Sequence, residues 1–138
     1  MRVLVDTPVW SFALRRRRPG GAPAETRVLE EWRRLTREGR AVLCGPVRME
    51  VLSGIREGAF FARVRERLRW FPDEVLLTED YEDAARSWTV CARAGIAATA
   101  PDMLLCALAA RASLPILTTD RDFERYARVL PLRLHAPR

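Results

Sequence analysis

The chain has 138 residues, 49% of them apolar, and a formal net charge of +6 at pH 7. That length suits one domain over residues 1–138 with a proper core, and no apolar run approaches the roughly 20 residues of a membrane span. All 24 basic side chains are arginine and His135 is the single histidine, which excludes lysine-dependent chemistry (phosphate-loop or Schiff-base) and leaves too few ligands for a Cys/His zinc site or a histidine triad.

Taken in chain order, Arg2 to Val5 reads as a short strand ending at Asp6, and Val9 to Leu14 has a helical apolar pattern. The Pro- and Gly-rich stretch Arg17 to Ala24 is a loop, followed by a helix over Glu25 to Arg37 with Val28, Leu29, Trp32 and Leu35 on one side. Ala41 to Cys44 is a second strand, which Gly45 and Pro46 break before a helix over Val47 to Ile55 that carries Glu50. An amphipathic helix over Phe60 to Trp70 precedes an extended run, Val75 to Leu77, expected to be the third strand. Thr78 is placed to cap a helix from Glu79 to about Ala94, with Gly95 closing it.

Thr99 opens the next helix, Leu114 to Leu117 is a fourth strand followed by Asp120, Phe123 to Val129 is helical, and Leu132 to Leu134 is a possible last strand. Strands separated by helices imply right-handed crossovers and a mostly parallel sheet covered on both faces, an α/β architecture in three layers. In such sheets sites form at the strand C-termini. Asp6 and Asp120 follow strands directly, and Glu50 and Asp102 sit on helices that begin at the same edge.

Clustered carboxylates repel by roughly 4 kcal/mol per close pair at an effective dielectric of 20, so a fold that gathers them usually needs a cation. Oxygen donors of this kind suit Mg²⁺ or Mn²⁺. Each acid also has an ordinary reading. Thr99-Ala100-Pro101-Asp102 matches a capping box, Glu50 has Arg48 and Arg56 as possible ion-pair partners, and Asp120 can begin the helix that holds Phe123. Asp6 is the hardest to explain away, because an acid directly after an apolar strand points into the polar mouth of the sheet.

The cationic surface would attract polyanions, and the clusters Arg15 to Arg18 and Arg63, Arg65, Arg67, Arg69 are candidate phosphate contacts or solvated helix faces. Cys44, Cys91 and Cys106 lack CxxC spacing and read as buried thiols in a reducing compartment. The N-terminus has no secretory cleavage pattern, so a cytoplasmic protein without membrane contact is expected. Trp10, Phe12, Leu14, Trp32 and Leu35 fit either the core or a partner-binding groove between the first helices.

The segments VLVDTPVW (3–10), VRMEVLSGI (47–55) and TAPDMLLCALAARASLPILTTDRDF (99–123) resemble the PIN-domain ribonucleases, and within them the VapC-type toxins of toxin–antitoxin pairs. The resemblance covers essentially the whole chain. It implies a PIN-like fold, Mg²⁺-dependent RNA hydrolysis (Mn²⁺ as the alternative ion), and an acidic quartet of Asp6, Glu50, Asp102 and Asp120. Asp6 and Asp102 would be the direct ligands, with Thr7, Thr118 and Asp122 in supporting positions; Asp122 has a turn or cap role. It further implies a homodimer and a VapB-like antitoxin. Pro8 departs from the small polar residue many relatives have there, and Cys106 replaces a small apolar one. Two alternatives remain: a PIN nuclease for RNA processing or DNA cleavage without an antitoxin, and a non-catalytic basic nucleic-acid-binding adaptor.

Overall fold

In the computed structural model, which describes residues 1–15 and 21–138, β1 (Val3–Val5), β2 (Ala41–Cys44), β3 (Asp73–Glu74) and β4 (Ile116–Leu117) form one parallel sheet in the order β3-β2-β1-β4. The register sets Val3 beside Ala41, Leu4 beside Val42 and Ile116, and Leu43 beside Asp73. Val3, Leu4 and Val5 are fully buried, as expected for the central strand of a sheet covered on both faces. The covering helices are α1 (Thr7–Leu14), α2 (Pro23–Arg37), α3 (Gly45–Leu52), α4 (Gly58–Leu68), α5 (Thr78–Arg93), α6 (Ala100–Ala112) and α7 (Asp122–Tyr126). The α/β/α architecture expected from the alternation of strands and helices is the one observed.

The first helices belong to the core. Trp10 is fully buried and donates its indole N–H to the Val5 carbonyl at 3.0 Å, while its ring meets Trp32 edge-on at 5.5 Å and Phe71 at 4.7 Å. Leu14, Trp32 and Leu35 are buried beside it, so these four residues form packing and not a groove, while Phe12 is half-buried. Cys44, Cys91 and Cys106 are buried free thiols, as expected. His135 is also structural: its Nε2 lies 2.7 Å from Oε1 of the buried Glu31 on α2, and the same carboxylate accepts from Arg138, which straps the C-terminus onto that helix.

Several boundaries differ from the sequence expectation, each for a local reason. Gly45 and Pro46 end β2 as expected but also form the first turn of α3, which therefore starts before Val47, where proline's missing N–H would have had no helical partner anyway. Thr78 is not the cap of α5. Leu77 occupies that position, and its N–H donates to the Asp80 carboxylate at 2.8 Å. The third strand is Asp73–Glu74, not Val75 to Leu77. Phe71 anchors on Trp10, and Arg48 binds both the Phe71 carbonyl and Asp73, which brings the preceding pair of residues level with β2. An edge strand with one face in water tolerates two acids there, whereas Val75 and Leu77 end up exposed. The last strand shrinks to a single parallel bridge, Ile116 to Leu134. Arg16 to Arg18 and the first half of the Arg17 to Ala24 loop lie outside the described residues.

The strand order has one consequence for function. From β1 the chain builds outward through β2 and β3, then returns to place β4 on the other side of β1. The crevice outside the C-terminal ends of β1 and β4 is therefore the point where connections diverge, the usual binding position in open parallel sheets.

Candidate functional site

Asp6 emerges from β1 directly into this crevice and serves as the N-cap of α1. The residue is only 5% exposed. The Thr7 backbone N–H donates to its Oδ1 at 2.8 Å, and the Thr118 hydroxyl donates to its Oδ2 at 2.7 Å. Thr118 follows β4 and also accepts the backbone N–H of Asp120 at 2.9 Å. One hydroxyl thus locks the ends of β1 and β4 together. Asp120 in turn accepts the N–H of Asp122 at 2.9 Å, closing the turn that leads into α7. Asp122 pairs with Arg125 one turn along the helix, consistent with a turn role.

Asp102 arrives from the first turn of α6. Thr99 caps that helix by accepting the Asp102 N–H at 3.3 Å, yet the Asp102 carboxylate accepts from the buried Tyr126 hydroxyl at 2.7 Å. Capping and a place in the crevice are therefore compatible at this position. One carboxylate oxygen each from Asp102, Asp120 and Asp122 lie within 4.8 Å of one another. Asp6 is outside that trio but near enough to Asp102 and Asp120 to feel both charges. Glu50, on α3, feels Asp102. Its suggested partner Arg48 is engaged by Asp73 and the Phe71 carbonyl instead.

The electrostatics follow from this crowding. Burial pushes the Asp6 carboxyl up from 3.8 to about 6, against the hydrogen bonds from Thr118 and Thr7, with the charges of Asp102 and Asp120 adding to the rise. Asp102 is also raised, chiefly by burial, with the Tyr126 and Thr99 hydroxyls opposing and Asp120 and Asp122 reinforcing. Glu50 moves in the same direction through burial and the Asp102 charge. A neighbouring cation would reverse all three shifts.

The chain has 24 arginines, yet among the described residues none forms an ion pair with Asp6, Glu50, Asp102 or Asp120. The Thr7 hydroxyl beside them is likewise buried without a hydrogen-bond partner. These unneutralised hard oxygen donors fit a divalent cation such as Mg²⁺ or Mn²⁺. Tyr126 is the member of the site that sequence reasoning missed. Its only advance signal was a hydroxyl three residues after Phe123, on the face of a helix that must pack inward, where a buried phenol needs a partner.

Comparison with known proteins agrees with this geometry. The chain is 28% identical over 137 residues to the VapC ribonuclease Mb1587 of Mycobacterium bovis, with 95% of this chain and 96% of that protein covered. It is equally similar to ribonuclease VapC11 of Mycobacterium tuberculosis, 28% identical with the same coverage. The crystal structure of FitAcB from Neisseria gonorrhoeae has the same fold, with a TM-score of 0.74 at 21% identity, covering 98% of this chain and 97% of that one. The PIN domain profile matches residues 3–129, from the first residue of β1 to beyond α7. With the acid-bearing ends of β1 and β4 and the acidic helix α6 all inside that match, the chain belongs to the PIN-domain family.

Proposed function

We propose that this chain is a divalent-metal-dependent endoribonuclease and the toxin of a VapBC-type pair. The observation that carries the reading is the set of four acids at the switch point of a PIN fold with no arginine partner among the described residues. A stable protein leaves such charges unpaired at a cost in stability, and a bound cation removes that cost. The relatives named VapC ribonucleases support both RNA as substrate and an antitoxin as partner.

In this reading Asp6 and Asp102 hold the metal, Mg²⁺ or Mn²⁺, while Asp120 and Glu50 complete the negative pocket and orient the attacking water. When bound, the ion supplies Lewis-acid stabilisation of the phosphate and a water of lowered pKa. Thr118 and the Thr7 N–H fix the rotamer of Asp6 through its two oxygens, and Tyr126 does the same for Asp102. Asp122 shapes the turn that presents Asp120. Arginines outside the crevice attract the polyanion.

A homodimer is part of the proposal. Its support is an apolar face along α5 and the start of α6, where Tyr81 is 55% and Trp88 45% exposed beside two hollows that share Tyr81, Ala100 and Leu104. Among the described residues no helix is long and apolar enough to cross a membrane, and action in the cytoplasm follows from the toxin reading. The test is to sequence RNA ends after brief induction in cells. New ends in cells making the wild-type chain and none with Asp6→Asn are expected; identical end profiles would overturn the assignment.

A further inference from the structure

The acids occupy the end of the sheet where the strands finish, but the most exposed large apolar side chain lies toward the other end. Trp70 is 84% exposed, in contrast to the buried Trp10 and Trp32. It lies two residues past the end of α4, with its N–H bonded to the Arg67 carbonyl at 3.3 Å, and it forms one wall of a cavity of about 310 Å³. The remaining wall comes from Arg2, Gly39 and Pro72 just before the strands, from Ala41 in β2 and Asp73 and Glu74 in β3, and from Thr36 on α2. None of the four acids of the crevice lines it.

Three observations indicate a ligand. The Thr36 hydroxyl is shielded from solvent and has no hydrogen-bond partner among the described residues, an unusual state for a buried donor and acceptor. The carboxylates in the wall are already neutralised, Glu74 by Arg2 at 2.9 Å and Asp73 by Arg48 at 3.0 Å. The approach past Trp70 is positive: from Arg63 to Trp70 there are four arginines and only Glu66 in opposition. Arg63 and Arg65 lie over the rings of Phe60 and Phe61, whereas Arg67 and Arg69 have no partner among the described residues. An exposed indole flanked by free guanidinium groups combines the stacking face and the phosphate contacts by which proteins hold single-stranded nucleic acid.

We propose that this cavity binds an unpaired nucleobase of the RNA at a point remote from the acids, with Trp70 as the stacking face and Arg67 and Arg69 on the flanking phosphates. The inference rests on the ribonuclease reading. It gives the enzyme a second hold on its substrate, so that RNAs with an unpaired segment long enough to reach both places are bound more tightly than short ones.

The experiment measures binding of a fluorescein-labelled, single-stranded oligoribonucleotide of mixed sequence to the full chain by anisotropy, with EDTA present to prevent cleavage. Trp70→Ala is expected to weaken binding about 5- to 150-fold, the range set by loss of one stacked base. Trp70→Phe, which keeps a ring, should recover most of it. Arg67→Gln and Arg69→Gln should each lower the slope of log affinity against log salt by about 0.7. A wild-type chain that cleaves RNA with Mg²⁺, yet binds it no better than Trp70→Ala does, overturns the second site and leaves the nuclease reading intact. A chain that neither binds nor cleaves RNA overturns both. If Trp70→Ala loses affinity for a labelled polyglutamate peptide while RNA affinity is unchanged, the surface belongs to an acidic protein partner and the proposal is wrong.

Discussion

Asp6 is ionisable and almost fully enclosed, so its charge state links the proposed metal site to stability. Its folded pKa of about 6 lies above the ordinary 3.8. A group raised in this way contributes stability that is fully present below the unfolded value and lost as pH climbs through the folded one. The difference of two units amounts to roughly 3 kcal/mol. Asp102 and Glu50 are shifted in the same direction. The metal-free protein should therefore lose thermal stability between about pH 4 and pH 6 on account of Asp6, with Asp102 and Glu50 acting in the same direction, and Mn²⁺ should restore it at pH 7. Melting curves in EDTA and in Mn²⁺ check this, and a melting temperature at pH 7 that ignores the ion would contradict it. Tyr126→Phe removes the hydroxyl that orients Asp102. Calorimetry should show Mn²⁺ affinity falling about 10-fold, the lower end for loss of a group that positions a ligand, and urea melts a loss of about 1–2 kcal/mol. Asp6 was legible in the sequence because an acid directly after the apolar VLV run has to leave the core at the end of the strand, where it also caps α1. Tyr126 was not, because its role depends on α7 docking its hydroxyl onto a residue 24 positions away.

The site depends on α6 being held at the right height against α5, and an ion pair between a buried acid and a partly exposed arginine ties the two helices together. Asp80, fully buried near the start of α5, accepts from Arg111 Nε near the end of α6 at 2.7 Å. Burial alone would raise the Asp80 pKa, but the Arg111 hydrogen bond and charge and the Leu77 N–H hold it below its ordinary value. Arg111→Met strands that carboxylate and should lower stability in chemical denaturation by more than the loss of a helix cap does. Thr99→Ala, which removes the cap of α6, should cost about 1 kcal/mol. Larger damage from the distant Arg111 change than from the cap beside Asp102 is the distinguishing outcome. Helices and central strands were legible from periodicity, as at Ala41–Cys44, where the expected and observed strands coincide. The third strand was misplaced by two residues because Val75 and Leu77 have the composition of a strand, whereas the ladder position is set by long-range anchors at Phe71 and Arg48.

For the whole molecule, the parallel order β3-β2-β1-β4 converts acids scattered over more than a hundred residues into one crevice. The alternation of strands and helices made that edge foreseeable. The local spacing of the four carboxylates was not, since it depends on the Thr118 clasp between strand ends and on how far α3 and α6 lean over them. The apolar face of α5 and α6 predicts association: light scattering should find a dimer, and Trp88→Arg should shift it toward monomer while leaving the fold intact, because Trp88 is 45% exposed.

Divalent-ion-dependent hydrolysis of RNA at these acids is tested by cleavage of a labelled cellular RNA pool by the purified chain and by Asp6→Asn, each with Mg²⁺ and with EDTA. Cleavage by the wild-type chain in Mg²⁺ alone, reduced at least about 100-fold in Asp6→Asn, is the predicted result. Equal cleavage by the two proteins, or cleavage that persists in EDTA, would contradict it.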